Sequence, residues 1–302
     1  MVRKKTTEDY IIDIVIAVTM VCVVVVTLYP FLNALAISFN HSDDTTKGGI
    51  TIFPRVFTYK NYNIILKNPR IYKAYFVTVA RTVIGALTGL YMTAALAFSL
   101  AHRQLYNRKF YMTFCLIPMY FGGGLIPFYL LVKQLGLVNS FWVYIIPGMV
   151  GLWNMLIMRT YFQGIPPALE ESAMIDGAHY FDIFFRIIIP ISTPIIATIT
   201  LFIGVSQWNA WFDAAMFINS NQDVKPMQSV LLSIISEASF AEKLAASGRA
   251  STAASNISKG KETNVRSVTM ATMIITIVPV ICVYPFLQKY FEKGVMIGSI
   301  KG

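Results

Sequence analysis

The chain has 302 residues, of which 56% are hydrophobic and only 13% charged; 25 Lys and Arg against 15 Asp and Glu give a formal charge of +10. A soluble domain carries about 25% charged residues, so this composition excludes disorder, a basic nucleic-acid-binding domain and most soluble enzymes. So large an apolar fraction cannot hide in a soluble core of this length, and lipid is the solvent expected for much of the surface. The positive charge then reads as loops beside anionic headgroups, not as a nucleic-acid surface.

A membrane-spanning helix takes about 20 apolar residues to cross a hydrocarbon layer of about 30 Å. Six runs qualify, which makes the chain an all-α integral membrane protein. They are Ile14–Asn40, Thr82–Ala101 (extended upstream to Ala74 across Arg81), Phe110–Val132, Gln134–Met158 with a short turn at 136–140, Ile187–Phe212, and Ser267–Gln288. The first follows Arg3-Lys4-Lys5, but it is too long for a cleavable signal and no small-residue cleavage site follows it, so it is expected to be retained. Six spans put both termini on one side. The density of Lys and Arg favours the cytoplasm, chiefly through Arg3-Lys4-Lys5 and Arg108-Lys109. The segment 40–74 pulls the other way with Lys47, Arg55, Lys60, Lys67, Arg70 and Lys73 against Asp43 and Asp44. Residues 1–73 therefore hold the N-terminal segment, one span and an extracellular loop; residues 74–302 hold a core of five spans.

Within the spans, Arg81 lies a turn or two from the outer end and is expected to snorkel to the headgroups. Gly85 and Gly89 form a G-x-x-x-G packing face, either internal or against a second subunit. Cys22, Cys115 and Cys282 lie far apart inside apolar runs and are expected to be buried thiols.

Three loops exceed simple connectors. Residues 40–74, with Gly48-Gly49, Pro54 and Pro69, read as an extended, turn-rich segment. Residues 213–268 open with Pro226 and an amphipathic stretch to Phe240, then run through an Ala/Ser/Lys tract from 241 to 263. Residues 159–190 carry Glu170, Glu171, Asp176 and Asp182 on the side assigned to the cytoplasm. Pro166-Pro167 suits a helix start, and Glu170 and Glu171 fall in its first turns, where carboxylates complement the dipole. Asp176-Gly177 is a stop, since glycine takes the left-handed cap conformation. A second helical stretch follows from 178 to 186, and Pro190 falls near the start of the fifth span. On these grounds alone the loop is either a docking element or an ordinary amphipathic interfacial hairpin.

Nothing here supports catalysis. Gly260-Lys261-Glu262-Thr263 fails the phosphate-binding loop twice: Ser255 stands where its first glycine belongs, and Glu262 where Ser or Thr must follow the lysine. His41, His102 and His179 lie in different loops and form no metal or triad set.

The spacing Glu171-Ser172-Ala173, three residues, Gly177, nine residues, Ile187, one residue, Ile189-Pro190 resembles the E-A-A–x3–G–x9–I–x–L–P signature of permease subunits of ABC importers. Ser172 stands for Ala and Ile189 for Leu. The resemblance covers nearly the whole chain and is strongest to the carbohydrate-uptake branch, relatives of the maltose permease subunits, particularly oligosaccharide and polysaccharide permeases of Gram-positive bacteria. The stretches 48–55, 121–130, 170–178, 284–291 and 294–302 carry it. It implies a type I importer permease fold with cytoplasmic termini, multi-pass in the cell membrane, and no cofactor of its own. It also implies a second homologous permease, a cytoplasmic ATPase dimer holding ATP and Mg, and an extracellular solute-binding lipoprotein. Glu170, Glu171, Ser172, Ala173, Asp176, Gly177, Ile187, Ile189 and Pro190 would dock the ATPase and transmit its closure. The C-terminal 294–302 tail would contact the ATPase side.

A saccharide has apolar CH faces and polar edges, so its pathway calls for aromatic faces beside hydrogen-bonding groups. Tyr120 and Gly123, Trp153 and Asn154, and Gln207, Trp208, Asn209 and Trp211 are the candidates. Interfacial anchoring is the other reading of the tryptophans. Two further alternatives stand: an ABC permease for peptides or anions, and a secondary transporter, which would need intramembrane carboxylates where only Asp13 and Asp213 occur, at span edges.

Overall fold

A computed structural model describes residues 6–246 and 265–298. Arg3-Lys4-Lys5, the phosphate-loop look-alike at 260–263, the end of the C-terminal tail and most of the Ala/Ser tract lie outside the described residues. Among those described the chain is helical, with one isolated bridge between Asn40 and Phe57 and no strand. The described residues within 1–69 and 231–278 form one compact unit, and those within 70–230 and 279–302 form a second.

In the first unit, α1 (Thr7–Ser38) exposes apolar side chains along its length, from Tyr10 to Phe31. A helix apolar all round is built for lipid. The loop after it is more ordered than a turn-rich segment. It holds α2 (Ser42–Thr45) and α3 (Lys60–Leu66), knit around the buried Asn40. The Asn40 amide donates to Asp44 and Thr45 (both 3.1 Å) and accepts from the Val56 N–H (2.9 Å). Phe39 stacks on Tyr62 at 4.7 Å and on Phe57 at 5.4 Å.

The second unit is organised by α4 (Pro69–Ala101), which continues far upstream of the uncharged run. The next three apolar runs are not straight. Helices α5 (Arg108–Tyr120) and α6 (Leu125–Gln134) meet at 115°. A 3-10 segment, 141–148, meets α7 (Leu152–Gln163) at 45°. Helix α9 (Tyr180–Ile191), with a π-helical centre over Ile183–Ile188, meets α10 (Thr193–Asn209) at 87°. Glycines (Gly122 to Gly124, Gly148, Gly151) and prolines (Pro190, Pro194) account for the interruptions, since neither holds a helix interior well. Between the second and third bent pairs lies α8 (Pro167–Ile175), and beyond α10 comes α11 (Phe212–Phe217); α12 (Met227–Ala246) and α13 (Val265–Gly298) each contribute residues to both units.

One core of this unit joins Ala97 and Phe98 of α4 to Met155 and Met158 of α7 and to Ile183 and Ile188 of α9. A second joins Val77, Val132, Val143 and Phe217. The glycines of α4 pack internally: a Cβ on Gly85 would lie 2.9 Å from Gln207 Cδ, and one on Gly89 3.4 Å from Ile203, both on α10. The expectation of buried thiols is not met. Cys22 and Cys282 are exposed and Cys115 is half-buried, since an apolar helix facing lipid accepts a weakly polar thiol on its surface.

Candidate functional site: the capped loop and the broken helices

Helix α8 begins at Pro167 with Pro166 as its N-cap, as the missing proline N–H permits. Its end is a complete Schellman motif. The Gly177 N–H donates to the Met174 carbonyl (3.0 Å), and the Ala178 N–H to the Ala173 carbonyl (2.9 Å). Gly177 sits at φ +83°, left-handed, with nothing within 4 Å of where a Cβ would be. Ala173 and Ala178, the two ends of the motif, both pack against the Phe98 core. The elbow is therefore a backbone device anchored by two small side chains.

A second anchor is a polar side-chain contact. Glu170 Oε2 lies 3.0 Å from His102 Nε2, at the C-terminal end of α4. The His102 ring is edge-on to Phe98 (4.6 Å) and to Tyr180 (5.4 Å), so α8 and α9 are both tied to the same imidazole. Composition made His102 look like an idle loop histidine; only its position beside Glu170 reveals its part.

The opposite face of the loop is open. Glu171, Ser172, Asp176 and Gly177 are exposed, and Ile175 is 86% exposed beside Met174. Farther on, Ile187 and Ile189 are half-buried and Pro190 is exposed. A cleft of ≈ 300 Å³ at the elbow is lined by Asp176, Gly177, Asp182, Arg186 and Ile187.

The candidate pathway residues cluster at helix breaks without forming one contact set among the described residues. Tyr120 is 78% exposed, where α5 gives out, and exposed Gly123 lies in the break itself. Trp153, 67% exposed, and half-buried Asn154 open α7. Asn209 and Trp211 are exposed on either side of the α10–α11 break, with Trp211 edge-on to Phe212. Trp208 is instead buried, edge-on to Tyr75 at 6.0 Å.

Gln207 belongs to a buried cage around Arg81, which does not snorkel. Arg81 is 1% exposed. Its guanidinium donates to Asp213 Oδ2 (2.6 Å), to Gln207 Oε1 (3.0 Å) and to the Ala210 carbonyl (3.1 Å), and lies 4.3 Å above the Tyr144 ring. Gln207 Nε2 donates onward to the Tyr144 carbonyl (3.2 Å). The cage satisfies a carbonyl freed where α10 stops, which lipid could not do. A charge placed near a span end snorkels only if nothing inside neutralises it, and here Asp213 does. That pairing also removes Asp213 as a free carboxylate for a proton-coupled transporter. Among the described residues no cluster of His, Cys, Asp and Glu could hold a metal.

No protein-family model matches the chain. Among curated proteins it is 34% identical over 295 residues to the polygalacturonan/rhamnogalacturonan transport system permease protein YtcP of Bacillus subtilis, covering 98% of this chain and 100% of that one. It is 35% identical over 277 residues to protein LplC of the same organism, covering 92% and 90%. Among solved structures it superposes with a TM-score of 0.84, at 28% identity over 96% of this chain and 99% of the other, on a chain of a bacterial ABC transporter involved in the import of the acidic polysaccharide alginate. The capped loop, the broken apolar helices and these full-length likenesses agree: the chain belongs to the permease-subunit family of carbohydrate-type ABC importers.

Proposed function

We propose that this chain moves a saccharide into the cell by alternating access, as one of two homologous permease subunits above a cytoplasmic ATPase dimer. ATP, with Mg, is hydrolysed on that partner. An extracellular solute-binding lipoprotein delivers the substrate. Each bent pair counts as one span, so six spans cross the cell membrane of a Gram-positive bacterium with both termini inside.

The observation that carries this reading is the loop at 166–177. Its backbone is capped, its inner face is fixed to α4 through Glu170 and His102, and its outer face offers Glu171, Met174, Ile175 and Asp176 to a partner. A rigid body of that kind can pass a partner's closure to α7 and α9. Ser172, Ala173, Gly177, Ile187, Ile189 and Pro190 keep its shape. The relative named for polygalacturonan and rhamnogalacturonan and the alginate-importing neighbour support a saccharide substrate, with acidic oligosaccharides the first to try. Tyr120, Gly123, Trp153, Asn154, Asn209 and Trp211 line its path, because irregular backbone at membrane depth is tolerated where it borders a wet cavity. Gln207 and Trp208 support that path from behind.

The test is ATP-driven uptake of labelled acidic and neutral oligosaccharides by the assembled importer in lipid vesicles. Glu171→Ala combined with Gly177→Val is expected to abolish uptake. Uptake that survives this double change, or removal of the ATPase, overturns the coupling role.

A further inference from the structure

Three bases crowd one corner of the second unit with no acid among them. Arg108 and Arg159 come from α5 and α7, and both donate their Nε–H to the same acceptor, the Leu100 carbonyl near the end of α4, each at 3.0 Å. The Gln163 amide, turned with its oxygen towards them, accepts from Arg159 Nη2 (3.1 Å) and from Arg108 Nη2. Lys109 stands beside them, exposed. With Met112 and Thr113 they line a cavity of ≈ 370 Å³. No carboxylate lines it, and no ion pair engages any of the three bases among the described residues.

Two guanidiniums sharing one carbonyl repel each other. The negative end of the α4 dipole offsets only part of that charge. The remaining N–H groups of Arg108 and Arg159, with the Lys109 ammonium, form a donor set that matches a tetrahedral oxyanion. The setting supplies the rest. The cavity lies at the end of α4, where Leu100 is followed by His102, the neighbour of Glu170 on α8, and apolar helices give way to a polar loop. One wall is Met112, and the same helix shows Phe110 and Phe114 outward at 65% exposure each. A phosphate on an acyl chain could place its headgroup on the bases and its tail along these rings. Basic pockets between membrane helices bind anionic headgroups for this reason.

We propose that Arg108, Lys109 and Arg159 form a phosphate-binding site that holds the headgroup of an anionic phospholipid beside the 164–191 loop. The ligand neutralises the repelling pair and fixes the junction of α4, α5 and α7 from which the loop springs.

The purified full-length chain in detergent is examined by native mass spectrometry after exposure to phosphatidylglycerol, phosphatidylcholine or inorganic phosphate. Retention of phosphatidylglycerol over phosphatidylcholine is expected. Lys109→Gln, at an exposed position with no ion-pair partner among the described residues, is expected to weaken it about fivefold, the effect of one base near an anionic surface. Lys133→Gln, an exposed base on α6 outside the cavity, is expected to leave retention unchanged. Equal retention of both lipids, or equal loss in the two variants, overturns the site. Displacement of phosphatidylglycerol by millimolar inorganic phosphate overturns the lipid as its occupant and leaves a soluble phosphate in its place. A Lys109→Gln chain that keeps its phosphatidylglycerol undiminished overturns the proposal as well.

Discussion

Two of the helix ends in the second unit are finished by opposite means. At the end of α10 the break turns its Ala210 carbonyl inward onto the buried Arg81, and that carbonyl and the charge that meets it are enclosed by Asp213, Gln207 and Tyr144. At the end of α8 the chain breaks at the surface, and one left-handed glycine with two backbone hydrogen bonds is enough. Depth decides the difference. A buried break must carry its own polar partners, whereas an exposed one needs only a permitted backbone conformation and has water for the rest. The first kind is stiff and costly to disturb. The second is cheap to build and sensitive only to the residue at the turn.

The sharpest way to break this contrast is to unpair the cage. Asp213→Ala leaves the Arg81 guanidinium buried with its strongest acceptor gone. Losing one partner of such a pair costs about 3 kcal/mol or more. The thermal unfolding midpoint in detergent is expected to fall well below that of the parent. Arg81→Met with Asp213→Leu is expected to recover most of the loss, since a matched apolar pair leaves no orphaned charge. A single Asp213→Ala change that unfolds like the parent would show that water reaches the cage and that the two breaks are alike.

Gly85 tests the same cage from its packing side. A methyl there meets the Gln207 side chain at 2.9 Å, and that side chain is not free to swing because it holds Arg81 and the Tyr144 carbonyl. Gly85→Ala is expected to destabilise by about 1–3 kcal/mol, as overpacking does. Gly89→Ala, with 3.4 Å to Ile203, is expected to cost clearly less in the same unfolding measurement.

The contrast also explains what the sequence disclosed. The α8 break is local: Pro166-Pro167, two glutamates and Asp176-Gly177 lie within a dozen residues, and each has a backbone reason to be where it is. The glycines at 122–124 permit a bend in the third apolar run but do not set its sharpness of 115°. The Arg81 cage was illegible. The arginine's hydrogen-bond partners lie more than 120 residues downstream, and hydropathy cannot tell an arginine reaching outward for headgroups from one reaching inward for Asp213. His102 failed for the same reason, because its importance rests on Glu170, Phe98 and Tyr180 meeting around it. The polar knot around Asn40 was hidden by turn residues that suggested an open loop.

The surface break is probed at the glycine itself. Space is not limiting at Gly177, so any loss there is backbone strain, about 1–2 kcal/mol for a left-handed non-glycine residue. Gly177→Val is expected to lower coupled uptake most, Gly177→Ala less, and Gly177→Asn least, since asparagine tolerates this conformation. Global unfolding should hardly move across the series. If side-chain volume ranks the variants and Asn falls between Ala and Val, a partner surface fills the open space and strain is not the cause.

A smaller effect is expected where an arginine and an aspartate meet near the surface. Arg55 Nε donates to Asp44 Oδ2 at 2.9 Å, the same chemistry as in the cage, but Arg55 is 45% exposed. The Asn40 amide, ahead of Arg55 and Lys47, holds the Asp44 carboxyl below its usual value against a smaller opposing push from burial. A carboxyl with a depressed folded pKa contributes stability that is present above its unfolded pKa, about 3.9, and lost as pH falls through the folded one. Acid should therefore loosen residues 40–58 only below pH ~4, read by amide hydrogen exchange of that segment. Arg55→Gln is expected to shift the acid midpoint less than Asn40→Ala and to leave the neutral-pH unfolding midpoint unchanged, because exposed ion pairs are screened. An Arg55→Gln effect as large as that of Asp213→Ala would mean that pairing alone, not depth, sets the worth of these contacts.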